Sequence, residues 1–309
     1  MPIGVSRVFH TNVNCTDLER SLAFYRDLVG LTPGAHTVPE PQDGTAFGLD
    51  TAQWDAWILS DGRGFGAGIA LDLLEWQVPR PEGVPYPSAN HLGFGRLGFT
   101  SPDLDGLYAR LVAAGVDCTG EPHSIGLEGA PAVRAFVCAD PDGTLVEFVS
   151  GRPDLVGNQL SFVAVNCSDL DRSLAFYVDV LGFRLGARFA PGPSDGAALR
   201  LGDEVEWEMA YVDDPRGTGS FALDLVEWKR PRSDGPPYPS ANHVGIYRMA
   251  FMTDDIDRDH EALRAAGVEC VTPAAHLTMG PGIPDLRALL FPDPDGTMLE
   301  LIESPTVTT

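Results

Sequence analysis

The chain repeats itself, and that limits its fold more than any other feature. CTDLERSLAFY at 15–25 returns as CSDLDRSLAFY at 167–177, an offset of 152 residues. The same offset relates LDLLEW (71–76) to LDLVEW (223–228), and VPYPSANHLG (84–93) to PPYPSANHVG (236–245). By DPDGTLVEF at Asp140 and DPDGTMLEL at Asp293 the offset has grown to 153, so one residue was gained between. Self-similarity at this length means two homologous modules rather than a solenoid of short repeats. They are expected at 1–151 and 158–305, joined by a linker at 152–157 within the Gly-, Pro- and Asn-bearing stretch GRPDLVGN. A chain of 309 residues suits two domains of ordinary size, each with its own core.

Each module repeats one plan twice: an apolar strand, an amphipathic helix, then strands divided by turns. VFHTNVNC reads as a strand, Thr16 or Asp17 caps a helix carrying Leu18, Leu22 and Tyr25, and the helix ends before Gly30. FGLD, AWILS and GIALDLLEW read as the following strands. Arg96–Thr100 then starts the second round, with a helix through Leu107 and Leu111 closed by Gly115, and strands RAFVCA and LVEFVS around the turn Asp140–Gly143. Module two repeats this with helices near 169–181 and 254–266. This order predicts an α+β architecture, not a doubly wound sheet.

Composition narrows the partners. Forty-four acidic residues against 21 Lys and Arg give a formal charge of -23, which repels phosphate backbones, so no nucleic-acid partner is expected. The longest apolar runs fall short of the roughly 18 residues of a membrane helix, and no export signal is visible, so no membrane association is expected. Five cysteines, an odd number in a chain too large to need disulfide staples, point to a reducing, cytoplasmic compartment. Cys15 and Cys118 recur as Cys167 and Cys270, which inherited packing explains, whereas Cys138 has no counterpart; none lies in a recognisable activating motif. Walker, dinucleotide, CxxC and nucleophile-elbow motifs are missing, and nucleotide cofactors find no support.

The segments NCTDLERSLAFYRDLVGL and NCSDLDRSLAFYVDVLGF, TSPDLDGLYARLVAAGV and TDDIDRDHEALRAAGV, and the two DPDGTxxE endings together resemble the vicinal oxygen chelate superfamily of glyoxalases, bleomycin-resistance proteins, epimerases and extradiol dioxygenases. The resemblance implies tandem glyoxalase/bleomycin-resistance-like modules, each of two βαβββ units forming an incomplete barrel around a cup for a small molecule or a metal. It implies metal ligands on the first and last strands of each unit. By position, the module-one set is His10, Asp72, Arg96 and Glu147, and the module-two set is Phe162, Asp224, Arg248 and Glu300. Both depart from a metal site, because a guanidinium is always protonated and offers no lone pair. No cofactor is therefore expected; the alternative is a divalent metal in module one on His10, Asp72 and Glu147. The two-His, one-carboxylate triad of an iron oxygenase is missing from both sets.

Without metal, Arg96 can pair with Glu147 and Arg248 with Glu300, either as space-filling pairs or as anchors for a ligand oxygen. His10 with Asp72 can serve as a general base, or His10 is a hydrogen-bonded core residue; Phe162 denies module two that chemistry. His91, in the PYPSANH loop, either satisfies that loop or supplies an imidazole to the cup. Trp76 and Trp228 share strand parity with Asp72 and Asp224 and, with Trp54 and Trp57, are candidate walls for a planar ligand or core residues. Glu75 and Glu227 face the other way, solvated or paired between modules. Three functions follow: a metal-independent isomerase, lyase or cyclase using His10 and Asp72 with Arg96 as oxyanion anchor; a non-catalytic protein that sequesters an aromatic or antibiotic-like molecule; and a degenerate metal-dependent glyoxalase-type lyase. In all three the partner is a small oxygenated molecule, and the resemblance leaves room for a homodimer.

Overall fold

The computed structural model describes residues 2–64, 66–125, 133–202, 204–215 and 221–303. Four βαβββ units appear, two per module, in an α+β fold. Unit one holds strands Val5–Asn14, Thr32–Thr37, Thr51–Ser60 and Ala70–Val78, with the short strand Gln42–Asp43 paired to Thr51–Ser60, and unit two holds Gly93–Ser101, His123–Ile125, Val133–Ala139 and Leu145–Ser150. Unit three holds Gln159–Cys167, Arg184–Asp195, Glu204–Asp213 and Ala222–Arg230; unit four holds Arg248–Thr253, Ala275–Leu277, Leu286–Pro292 and Met298–Glu303.

The local signals act as their chemistry dictates. Asp17 caps the helix Leu18–Leu22 by accepting from the Arg20 N–H, and Asp169 does the same for Arg172. A second orphan donor of each helix end, the Leu18 or Leu170 N–H, is taken by Glu75 or Glu227 at 2.9 Å. Those two glutamates thus tie a helix to a strand within their own unit, rather than lying in solvent or pairing between modules. Asp140 Oδ1 accepts the backbone N–H groups of Asp142, Gly143 and Thr144, which fixes the DPDG turn, and its other oxygen accepts from the buried Tyr25 hydroxyl at 2.9 Å.

The units do not pair within their modules. Val5–Asn14 of unit one runs antiparallel to Arg248–Thr253 of unit four, giving one nine-stranded sheet. Gln159–Cys167 of unit three runs antiparallel to Gly93–Ser101 of unit two, giving an eight-stranded sheet. Each curled sheet therefore takes one unit from each module, and the expectation that each module closes around its own cup is corrected. The PYPSANH loops clasp the exchange: Tyr86 N–H donates to the Tyr238 hydroxyl, Asn90 Nδ2 donates to Arg232 O, and Asn242 Nδ2 donates to Arg80 O. The helices and the convex faces of both sheets share one apolar core that includes Val13, Leu71, Leu97, Phe148, Val163 and Phe251. No helix among the described residues is long and apolar enough to cross a membrane.

Candidate functional site

Register alone brings four polar residues to the concave face of the nine-stranded sheet. His10 lies opposite Ala250 on the antiparallel neighbour, Ala250 is level with Glu300, and His10 is level with Ala70. Because side chains alternate, His10, Asp72, Arg248 and Glu300 share one face. All four are buried and line a cavity of about 360 Å³ whose walls include Phe9, Phe47, Trp54, Leu277 and Ile283.

One guanidinium organises this site. Arg248 Nε donates to Glu300 Oε2 at 2.9 Å and Nη2 donates to Asp72 Oδ2 at 3.0 Å, while Nη1 is buried without a partner. Arg248 lies 5.5 Å from the Phe47 ring centroid, a cation–π distance. His10 Nε2 stands 3.7 Å from Asp72 Oδ2 and 3.6 Å from Glu300 Oε2, close enough for electrostatic attraction but beyond a good hydrogen bond. Both His10 ring nitrogens are buried and unpartnered, with the residue only 4% exposed. Burial pushes the Glu300 carboxyl up, but Arg248 and His10 outweigh it and hold Glu300 below the ordinary value.

The eight-stranded sheet repeats the arrangement with one change. Phe162 takes the place of His10 and lies opposite Gly98, where a Cβ would run into its ring. In the first cup the smaller imidazole faces Ala250, so the residue opposite is matched to the ring it must clear. Arg96 Nε donates to Glu147 Oε2 at 2.5 Å and Nη2 donates to Asp224 Oδ2 at 3.4 Å; Arg96 Nη1 and Asp224 Oδ1 have no partner. Burial pushes the Asp224 carboxyl up to about 7, with Arg96 opposing and Glu147 adding to the rise. This cavity is larger, about 740 Å³, and is lined by Phe136, Phe162, Phe189, Trp207, Tyr211 and Trp228 among others.

The strand exchange regroups the expected site residues. Arg96 and Glu147 do not join His10 and Asp72; they stand in the other cup with Asp224, so the metal set His10, Asp72 and Glu147 does not assemble. Glu300 fills the position expected of Glu147. Neither arginine makes a two-pronged pair with one carboxylate, because the first strand lies between its sheet neighbours and each guanidinium reaches across to two acids. His91 reaches no cup: its ring stacks on Tyr86 at 3.5 Å, Tyr86 on Tyr238 at 4.0 Å, and Tyr238 on His243 at 4.2 Å, a four-ring stack on the clasp. Burial lowers the His91 pKa.

The tryptophans divide. Trp54 lines the first cavity and donates to Thr37 Oγ1, and Trp228 lines the second and donates to Asn166 Oδ1. Trp76 has the right parity but is fully buried behind Phe47 and Trp54, donating to Asn14 Oδ1. Trp57 faces the opposite way and stacks on His36 at 4.2 Å. Phe47 and Trp207 line the cups without having been singled out in the sequence; the alternation in EVEWEMAYV, with Trp207, Met209 and Tyr211 in step, is the signal that would have marked the second.

Two cups formed by paired βαβββ units, each with acids and a basic or aromatic residue on its floor, define a class, and the comparisons agree. The family model "Glyoxalase/Bleomycin resistance protein/Dioxygenase superfamily" matches residues 7–148 and 159–301. The chain belongs to that superfamily. It is 24% identical over 302 residues to a lactoylglutathione lyase of Arabidopsis thaliana, covering 96% of this chain and 92% of the relative. It is 26% identical over 310 residues to the lactoylglutathione lyase of Schizosaccharomyces pombe, covering 95% of each. Glyoxalase I from Zea mays superposes with a TM-score of 0.68 at 20% identity, covering 96% of this chain and 92% of that one, a likeness of fold.

Proposed function

We propose that this protein binds a small oxygenated organic molecule in the His10 cup and moves a proton on it without a divalent ion. The observation that carries the reading is the buried His10 imidazole, both nitrogens unpartnered, lining a mostly apolar cavity beside the unpartnered Nη1 of Arg248. Buried polar atoms without partners are costly in a folded core, and a bound ligand or water relieves that cost.

The groups suit abstraction of a proton from a carbon next to a carbonyl. Arg248 Nη1 would donate to the carbonyl oxygen and stabilise the negative charge that develops there, its other nitrogens being held by Asp72 and Glu300. His10 would accept the carbon-bound proton and return it to a neighbouring carbon or a leaving group, giving isomerisation or elimination. With neutral imidazole the four groups carry one net negative charge, two carboxylates against one guanidinium, and uptake of the proton brings the sum to zero. The apolar walls lower the local dielectric, which strengthens each of these interactions.

A divalent ion does not fit these residues. His10, Asp72 and Glu300 could each ligate, but Asp72 Oδ2 and Glu300 Oε2 are committed to Arg248, and a guanidinium in the fourth position repels a cation. Among the described residues, no group of three or more His, Cys, Asp or Glu side chains could hold a metal ion. A second reading, binding without turnover, is favoured in the other cup, which is wider, aromatic and has Phe162 where the base would be.

The test is hydrogen exchange on small α-hydroxy ketones, with dihydroxyacetone as the first probe, in deuterated buffer containing EDTA and followed by proton NMR. The expected result is solvent deuterium entering the carbon beside the carbonyl, lost in His10→Asn. Saturable binding without exchange would leave the sequestering reading, and exchange abolished by EDTA and restored by a divalent metal would overturn the metal-independent one.

A further inference from the structure

We propose that Cys118 and Cys138 form a reversible dithiol–disulfide pair, a redox modification site on the convex side of the second cup. The two residues are bridge partners between the segment after the helix Leu104–Ala113 and the strand Val133–Ala139. Thr119 N–H donates to Val137 O and Ala139 N–H donates to Asp117 O, both at 2.9 Å. These bonds flank the cysteines and leave them as a non-hydrogen-bonded antiparallel pair. Such pairs set their Cα atoms about 4.5 Å apart with side chains close, inside the roughly 4.4–6.8 Å that disulfides span. Both are free cysteines.

The pair is asymmetric in the way exchange chemistry needs. Cys118 is half-buried and can be reached from solvent, whereas Cys138 is buried in the core. The neighbouring Cys138 thiol lowers the Cys118 pKa, while the Cys118 neighbour and burial raise the Cys138 pKa. Module two contains its own control. The Val271 N–H donates to Leu290 O as Thr119 does to Val137 O, which sets Cys270 against Phe291, where no second thiol exists. Inherited packing accounts for Cys270 but not for Cys138, which occurs only where a partner faces it.

The oxidant is a small-molecule disulfide. The Cys118 thiolate attacks one of its sulfurs, forming a mixed disulfide and releasing one thiol. Cys138 sulfur then attacks Cys118 sulfur, forming the protein disulfide and releasing the second thiol. The two protein thiol protons end on the two released thiols, so the protein loses two electrons and the oxidant is reduced by two. Val137, next to Cys138 on the same strand, lines the second cavity, so the closed bond would pin the wall of that cup to the segment after the helix.

The experiment treats the full chain, natively folded, with bis(2-hydroxyethyl) disulfide, blocks remaining thiols with N-ethylmaleimide, and maps peptides by mass spectrometry. The expected product is a Cys118–Cys138 linked peptide, two hydrogens lighter, that dithiothreitol reopens and that raises the thermal midpoint of the wild type. Cys138→Ser is expected to stop at a mixed disulfide on Cys118. A wild type that stops at the mixed disulfide, links either cysteine elsewhere, or leaves both thiols free refutes the proposal, and the wild-type map alone decides this if the variant fails to fold.

Discussion

Replacing Asp224 by Asn should make the stability of this protein respond differently to pH, by an amount the second cup sets. Asp224 is 2% exposed, and burial pushes its carboxyl from an ordinary 3.8 to about 7. The unfolded chain therefore releases this proton near pH 4, while the folded chain keeps it until about pH 7. Between those values the folded state binds more protons, so stability falls as pH rises, by about 1.4 kcal/mol per pH unit. Over the whole window the change is about 4 kcal/mol: the stabilisation is present in full below pH 4 and gone above pH 7. Asparagine imitates the protonated acid: its oxygen can still accept from Arg96 Nη2, and its amide replaces the unpartnered Oδ1. Asp224→Asn should thus match the wild type near pH 4 and exceed it by up to about 4 kcal/mol at pH 8. Urea unfolding of both proteins at unit pH steps measures the difference directly. Asp140 and Asp293, which burial also raises to about 6, are common to both proteins and cancel. A difference that stays constant from pH 4 to pH 8 refutes the assignment of a neutral, buried carboxyl to this cup.

Other consequences can be checked with the same methods. Arg248→Met strands Asp72 and Glu300 in a buried site and should cost about 3–5 kcal/mol at pH 7, partly recovered as the acids protonate on acidification; equal unfolding midpoints for variant and wild type would contradict the pairing. His10→Phe should overpack against Ala250 and cost about 1–3 kcal/mol, whereas His10→Phe with Ala250→Gly, which copies the Phe162–Gly98 contact, should recover that loss in a denaturant titration. Tyr86→Ala removes the ring held between His91 and Tyr238 and should cost about 2–4 kcal/mol, read from the urea midpoint; an unchanged midpoint would mean the clasp contributes nothing.

Much of the architecture was written in the repeat. The offset of 152 gave two modules, Asp17 is one of the two residues the pattern offered as a cap, and the position that the family resemblance implied for Asp72 is on the inner face. What could not be read was which unit pairs with which. A strand edge formed by Val5–Asn14 accepts either Gly93–Ser101 or Arg248–Thr253 equally well by pattern, since both carry Arg at the matching place and apolar residues on the other face. Local periodicity does not encode that choice, and so His10 was grouped with Glu147 rather than Glu300. Of the two roles open to Trp57, packing is the one it takes: it shares its strand with Trp54 but stands three residues away, and an odd step reverses the face. His91 was ambiguous because a Pro-rich loop gives no parity to follow.

The exchanged units also explain how the two cups came to differ. Two separate, identical subunits joined in this fashion would form two cups of the same composition, so any change on the floor would appear twice. Covalent fusion lifts that symmetry: the chain can retain an imidazole at one floor and install a phenyl ring at the other, each beside its own matched small residue. One polypeptide can thereby assign its two sites to separate tasks while a single continuous core supports both.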